Sequence, residues 1–254
     1  MNFNIRTQEI SKGFYETVWS ALLGKDKIFN NSNSQQLLHK IISSIQNKGI
    51  KRQLPNDITE IIHSSEFIIL KAFRLTNQTL TTFPTLCTSV ILPIVTFKIK
   101  EWNLTSDIAG QIEGNVKNAL PISFFATDYL ENRNIYTSQQ NLNIKIVAFA
   151  YTALKPLVEE GLSEDFVDMQ LNEEYGEHSV YDYLGIILGI EKIDDTNLGF
   201  RTQGYFLKIR LVKIKNDEDF FAINMFIAKD NLDLENISVG DRISGVMSLQ
   251  GCIA

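Results

Sequence analysis

The chain has 254 residues, of which 44% are hydrophobic and 21% are charged, and its formal net charge is −6. This composition is typical of a folded protein with enough residues to bury a core, and it excludes a largely disordered chain. The N-terminus lacks a basic stretch followed by an apolar one, and no apolar run reaches the ~20 residues of a membrane span. We therefore expect no membrane partner and a cytoplasmic location.

Residues 1–79 are predicted to form a helical subdomain. Apolar residues recur at helical spacing over 8–23 and over 34–48, and a third, less regular helix is predicted over 57–73. Gly24 and Gly49 follow the first two segments, at the position where many helices end.

From residue 80 onward, β-branched residues and alternating apolar positions predict strands. Residues 80–154 are predicted to form a first β-unit and residues 181–254 a second. Residues 155–180 are predicted to be an acidic connection that contains a helix. The predicted strands cover residues 94–102, 106–117, 121–127, 142–151, 181–193, 204–214, 219–227 and 241–253.

A short motif occurs once in each β-unit. Phe-Phe-Ala stands at 124–126 and again at 220–222, each time six residues after a Val-Lys pair. Similar strands and turns surround both copies, which favours a duplicated β-unit. The alternative is that two hairpins with aromatic strands resemble each other because both must pack. In either case we expect at least one ring of each Phe pair to be buried.

The second unit also resembles an OB-fold over about 75 residues. A long first strand is interrupted by Gly185 and Gly189, a hairpin follows, and Val-Gly-Asp-Arg-Ile-Ser-Gly at 239–245 is similar to the start of a strand in many OB-like barrels. The predicted fold class is α+β, with an N-terminal helical part followed by two small antiparallel β-barrel (OB-like) units.

No motif in the sequence indicates catalysis, a metal or a cofactor. His39, His63 and His178 lack partners at metal-ligand spacing, and no glycine-rich phosphate loop occurs. Cys87 and Cys252 are expected to be small buried residues and not a disulfide. Asp128 follows a predicted strand, where a catalytic acid can lie, but a turn or capping role is favoured. We assign no catalytic residue, no metal ligand and no cofactor, and an enzyme is the least supported class.

Two predicted strands combine cations with an aromatic residue on one face. These residues are Lys98, Lys100 and Trp102 in one strand and Phe206, Lys208 and Arg210 in the other. Single-stranded nucleic acid binds to such faces, since bases stack on the rings and phosphates pair with the cations. The alternative is a solvated outer barrel face, and it is favoured by charge, because residues 159–254 carry nineteen acids and eight bases, a net −11.

The acidic connection suggests another kind of partner. Residues 159–177 contain eight acids and no base, namely Glu159, Glu160, Glu164, Asp165, Asp168, Glu173, Glu174 and Glu177. Such a segment, with its interspersed apolar residues, can dock on a basic protein surface or imitate nucleic acid. It can also cover this chain's own cations, or be a linker helix with an apolar stripe turned inward.

The leading functional hypothesis is a non-enzymatic binding protein that acts through protein–protein contacts, as an inhibitor, immunity protein or accessory subunit. The alternative hypothesis is a protein that binds single-stranded nucleic acid through OB-like strand faces. The sequence predicts no oligomeric state.

Overall fold

The structure is a computed structural model, and it is mostly β. It describes residues 5–10, 18–24, 34–76, 78–102, 109–156, 163, 165–172 and 179–254. Within these ranges the strands form one large mixed sheet and one four-stranded antiparallel sheet, called the small sheet below. No helix in the described ranges is long and apolar enough to cross a membrane.

The N-terminal part is not helical overall. Its elements are β1 (Arg6–Ile10), α1 (Val18–Leu23), α2 (Ser34–Lys48), β2 (Ile50–Gln53), β3 (Ile58–Ser64), β4 (Ile68–Leu75) and β5 (Gln78–Leu86). The helix predicted over 34–48 is confirmed as α2. Of the helix predicted over 8–23, residues 18–23 are helical, residues 8–10 belong to β1, and residues 11–17 lie outside the described part.

The helix predicted over 57–73 is wrong, because this segment forms the hairpin of β3 and β4. In β4 every second side chain is buried, at Ile68, Leu70 and Ala72. That period of two, together with many isoleucines, fits a strand better than the helical spacing expected from the apolar positions. The small sheet has the order β2-β3-β4-β5.

The rest of the chain contributes most of the large sheet. Its elements are β6 (Ile91–Trp102), β7 (Gly110–Val116), β8 (Leu120–Ala126), α3 (Tyr129–Ser138), β9 (Asn141–Ala150), β10 (Ala153–Leu154), β11 (Asp168–Leu171), β12 (Val180–Asp195), β13 (Thr202–Ile214), β14 (Asp217–Ala228), a 3₁₀ turn (Lys229–Asn231), β15 (Leu232–Asp233) and β16 (Arg242–Ile253). All eight predicted strands are present. The sequence did not indicate α3, and the described part of the acidic connection contains β11 where a helix was expected.

The strand pairings close into two rings that share β9 and β16. The first circuit runs β6-β7-β8-β16-β9 and returns to β6. The second circuit runs β12-β13-β14-β9-β16 and returns to β12. In the first circuit β8 pairs in parallel with β16, and in the second circuit β14 pairs in parallel with β9. Each circuit is therefore completed by a strand from the other predicted β-unit. Neither half of the chain therefore closes a ring with its own strands.

The predicted fold class of α+β, with an N-terminal helical part and two small antiparallel β-barrel (OB-like) units, is wrong. The N-terminal part is built around the small sheet, and the two β-units merge into one mixed sheet with parallel pairs at β8–β16 and β14–β9. Local patterns identify strands but do not determine which distant strands pair, so the exchange of β9 and β16 was missed. The boundaries at residues 80, 155 and 181 stay a prediction.

Three buried clusters hold these layers together. The inner core fills both circuits and includes Phe124, Ile146 and Phe221. The helix-side cluster joins α1, α2 and one face of the small sheet to outward residues of β9 and β14. The Trp102 cluster joins the opposite face of the small sheet to the outside of β6 and β8, where Trp102 stacks on Phe125 with ring centroids 5.2 Å apart. The small sheet is thus held on both faces.

Both rings of each Phe-Phe pair are buried, which confirms that prediction. Phe124 lies in the inner core and Phe125 in the Trp102 cluster, so this pair spans the two faces of β8. Phe220 and Phe221 both contribute to the inner core, and the β13–β14 pairing changes register beside Phe220, between Val212 and Ile214. The two copies of the motif therefore pack differently.

Because the circuits share two strands, a cavity in one circuit should destabilise the other. Phe221→Ala is expected to lower the free energy of unfolding by about 3–5 kcal/mol. Urea unfolding is followed by circular dichroism and by the fluorescence of Trp102, which packs on the first circuit, in a Trp19→Phe background. Both signals should shift together.

The matched control is Phe97→Ala, since Phe97 is 41% exposed and its removal should change stability by less than about 0.5 kcal/mol. A Trp102 transition that stays in place while the circular dichroism transition shifts would contradict the shared-strand arrangement.

Candidate functional site

The first predicted cation group lies on β6, and its aromatic member, Trp102, packs against the small sheet. Lys98 and Lys100 share the outer face of β6, with their Nζ atoms 3.7 and 3.0 Å from Oε1 of Glu113 on β7. Trp102 follows on the same face, and it is only 2% exposed because its ring is packed in the Trp102 cluster. In this arrangement the two amines pair with a carboxylate of the chain itself.

The second predicted group lies on the outer face of β13. Leu207, Ile209 and Leu211 are fully buried, so the predicted alternation of this strand is confirmed. The Phe206 ring lies 5.2 Å from that of Phe67, and Lys208 is exposed.

Arg210 on this face is held by two carboxylates. Its Nη2 lies 2.9 Å from Asp219 and 3.5 Å from Glu218. The two cation groups do not form one surface, because β14 and β9 separate β13 from β6 in the sheet. The role of these six residues in binding nucleic acid stays a prediction.

Two of the eight acids in the connection lie within the described residues. Asp165 accepts hydrogen bonds from Nζ of Lys213 on β13 and from Oγ of Ser163, and the Lys213 bond is the main reason that the pKa of Asp165 falls to about 2. Asp168 on β11 accepts from its neighbour Met169 N at 2.9 Å and from Gln170 Nε2 at 2.6 Å. The other acids, Glu159, Glu160, Glu164, Glu173, Glu174 and Glu177, lie outside the described residues.

Asp168 belongs to a continuous outer face of the large sheet. Five strands pair side by side here in the order β11-β12-β16-β10-β15. One row of paired residues crosses all five, and its members are Asp168, Leu184, Ser244, Leu154 and Asp233. Directly paired residues point to the same side of a sheet, so these side chains form one surface.

The next row adds Asp182 and Val246, which pair with each other. We call these seven residues the outer acidic face. Their chain neighbours Met169, Tyr183, Ile243 and Ala153 point into the inner core, so the face itself points outward.

Apolar side chains run along the middle of the outer acidic face. Leu154 is 42% exposed, and Leu184 and Val246 are half-buried. In the described part of the chain, none of the three belongs to a buried cluster. Asp168, Asp182 and Asp233 surround them, which makes an apolar strip with a negatively charged rim.

Asp168 is the one residue of the outer acidic face that was predicted from the sequence to bind a partner. The alternation of Asp182 and Leu184 with buried tyrosines was a local signal for one outward strand face. The juxtaposition with Leu154 and Asp233 has no local signal, because it depends on the pairing of β10 with both β16 and β15.

Asp128, the acid considered for catalysis, has a structural position. Its carboxylate accepts hydrogen bonds from Tyr136 OH at 2.8 Å, Asn132 Nδ2 at 2.7 Å and the backbone N of Ile253 at 3.0 Å. It thereby ties α3 to the end of β16. Burial raises the pKa of Asp128, and these three hydrogen bonds and the charge of Lys71 only partly oppose the rise.

The thiols and imidazoles also lack a reactive arrangement. Cys87 and Cys252 are free and half-buried, and burial raises the pKa of both thiols, so neither is activated as a nucleophile. His39 and His63 lie on α2 and β3, and His178 lies outside the described residues. Within the described ranges, no three His, Cys, Asp or Glu side chains are grouped to hold a metal ion.

Comparisons with known proteins add no further evidence on the site. No family model matches the chain, and neither a curated protein nor a solved structure is significantly similar to it.

The raised pKa of Asp128 predicts a specific pH dependence. A carboxyl group with a raised pKa in the folded state contributes stability below its unfolded pKa of ~3.9, and this contribution is lost as the pH rises through the folded value. Asp128→Asn has no such titration. The unfolding free energy of the wild type minus that of the variant should therefore decrease as the pH rises from about 4 to 7.

Urea unfolding at several pH values measures this difference directly. A difference between the wild type and Asp128→Asn that increases with pH would mean that the fold favours the Asp128 carboxylate over the neutral acid.

Proposed function

We propose that this chain is a non-enzymatic binding protein that acts through protein–protein contacts, as an inhibitor, an immunity protein or an accessory subunit. The observation that carries this proposal is the outer acidic face, where Leu154, Leu184 and Val246 are accessible between three aspartates. A surface of this kind, apolar in the middle and polar at the rim, has the general composition of a protein interface.

The three aspartates of the face outnumber the cation of the adjoining row, Arg242, and therefore favour a basic partner. No salt bridge among the described residues neutralises Asp168, Asp182 or Asp233. The two carboxylate oxygens of Asp182 each accept a hydrogen bond from the uncharged Nδ2 of Asn172, at 3.0 Å. The acidic connection leaves the sheet directly after Leu154 and includes β11 at the edge of the face. The three aspartates give the face a negative field, which attracts a basic surface and speeds its association.

The backbone of the face favours binding with little rearrangement. Its residues lie on strands that are paired with neighbours on one or both sides, so their backbone positions are fixed before a partner arrives. Less conformational entropy is then lost on association. Burial of the three apolar side chains stabilises a complex by about 25 cal/mol per Å² of apolar surface removed from water.

The geometry gives less support to single-stranded nucleic acid. Three of the four cations, Lys98, Lys100 and Arg210, pair with the chain's own acids Glu113, Asp219 and Glu218. A phosphate would have to replace these carboxylates, and it would meet a C-terminal region of net charge −11. The free thiols of Cys87 and Cys252 fit the cytoplasmic location that belongs to this proposal.

Charge reversal on the face tests the proposal. Wild type, Asp182→Lys/Asp233→Lys and the matched control Glu66→Lys/Glu191→Lys are used to capture proteins from a lysate of the native host. The control has the same change in net charge at exposed positions away from the face. Wild type and control should retain one discrete basic protein in stoichiometric amount, and the face variant should retain at least roughly tenfold less.

Equal capture by all three forms would contradict the role of the face. The absence of any stoichiometric protein on wild type would contradict the proposed function itself.

A titration with labelled oligonucleotides tests the competing hypothesis. At low salt, where phosphate contacts are strongest, we expect no micromolar binding of single-stranded DNA or RNA to the wild type. Micromolar binding that is lost in Lys208→Ala/Arg210→Ala, but kept in Lys192→Ala/Lys229→Ala, would replace the proposed function with the nucleic-acid hypothesis.

A further inference from the structure

A second exposed strand lies far from the outer acidic face, at the edge of the small sheet. β2 pairs only with β3, and all four of its residues are exposed. Ile50 on this strand is 79% exposed, more than any other large apolar side chain in the described part of the chain. An apolar side chain on an open strand edge is a common starting point for pairing with another chain.

The hydrogen bonds of β2 show which backbone groups face solvent. Leu54 N donates to Ile58 O at 2.7 Å, which sets the phase of the β2–β3 ladder. Because hydrogen-bonded and non-bonded pairs alternate in an antiparallel ladder, Ile50 and Arg52 bond to β3 while Lys51 and Gln53 direct their N–H and C=O groups outward. Among the described residues no strand pairs with this outer edge. The backbone N–H and C=O groups of Lys51 and Gln53 are therefore available to pair with another strand.

The edge is also rigid. The Arg52 guanidinium lies 2.5 Å from Glu60 Oε2 and 2.5 Å from Glu131 Oε2, so β2 is clamped both to β3 and to α3. A partner strand would meet a preformed edge and would not have to order it.

The surroundings of β2 are cationic. Residues 34–57, which include α2, β2 and the turn to β3, contain four Lys or Arg residues and one acid, Asp57. The two carboxylates on Arg52 leave Lys48 and Lys51, which outnumber Asp57, to define the charge of the edge. A basic edge of this kind attracts an acidic segment.

A second copy of the chain fits this edge poorly. If two β2 strands paired antiparallel and both copies used the outward groups of Lys51, Lys51 would lie opposite Lys51 or Arg52 opposite Arg52. Like charges directly opposite each other destabilise a strand pair. The favoured occupant therefore comes from a different, acidic sequence.

We infer that β2 is a second binding edge, which accepts an extended acidic segment of another protein as a fifth strand of the small sheet. The backbone groups of Lys51 and Gln53 supply the main-chain hydrogen bonds, Ile50 contacts an apolar residue of the segment, and the lysines pair with its carboxylates. This site is independent of the outer acidic face, whose partner is basic.

The test uses two labelled decapeptides and fluorescence anisotropy. One alternates Asp with Val and the other alternates Lys with Val. Wild type should bind the acidic peptide at least roughly tenfold more tightly than the basic one. Lys51→Pro should lose at least roughly tenfold in affinity, because proline removes an outward N–H and leaves the bonds between β2 and β3 in place. Lys51→Ala keeps the backbone donor and should lose less affinity than the proline variant.

Circular dichroism and the urea midpoint show whether Lys51→Pro is folded. If it is not, hydrogen exchange on the wild type replaces it, and the amides of Lys51 and Gln53 should become protected when the acidic peptide binds. Equal binding of the two peptides, affinity for the acidic peptide that survives Lys51→Pro, unprotected Lys51 and Gln53 amides, or no binding of it at ~1 mM would each overturn the inference.

Discussion

The structure depends on one antiparallel strand pair, β9 with β16. In this pair Ala148 lies opposite Leu249 and Val147 opposite Gln250. Each strand also closes a ring that begins in the other half of the chain, through β8–β16 and β14–β9. Removing either strand would open both circuits and leave unpaired backbone groups along their edges, which is costly where those groups are buried. The two halves of the β-region therefore stabilise each other.

The same pair also determines which outer surfaces remain accessible. The outward residues Val147 and Phe149 of β9 are covered by the helix-side cluster, and Gln250 of β16 donates to Pro84 O of the small sheet at 3.0 Å. Further toward its beginning, β16 leaves this cover and pairs with β12 and β10, where Ser244 and Val246 reach solvent. β16 thus contributes both to the side of the sheet that is covered by the small sheet and to the outer acidic face. A partner on that face would bind a strand that is also anchored in the core.

Local sequence patterns predicted the strands of the large sheet well. Alternation in β13 correctly separated buried Leu207 and Ile209 from outward Lys208, because a period of two is a property of each strand alone. The helix predicted over residues 57–73 was wrong for a related reason. Its isoleucines suit either a helix stripe or a hairpin, and burial on both faces by the surrounding layers decides between the two.

Pairing between distant strands could not be read from the sequence. The exchange of β9 and β16 joins residues about one hundred positions apart. The row across the outer acidic face likewise places Leu154 next to Ser244 and Asp233, which lie about 80 to 90 positions later in the chain. The charge asymmetry pointed to a region that includes Asp168, a residue of the outer acidic face. The apolar strip and the outward donors of β2 follow from register, which the sequence alone does not determine.

Native-state hydrogen exchange of the intact chain tests the interlocked arrangement most directly. The amides in the middle of β9 and of β16, around Ala148 and Leu249, should exchange only through global unfolding and should share one opening free energy, equal to that measured by urea unfolding. A β16 that exchanges through a separate opening of distinctly lower free energy, while β9 stays protected, would show that the first circuit persists without the strand from the other half. That result would contradict the interlock.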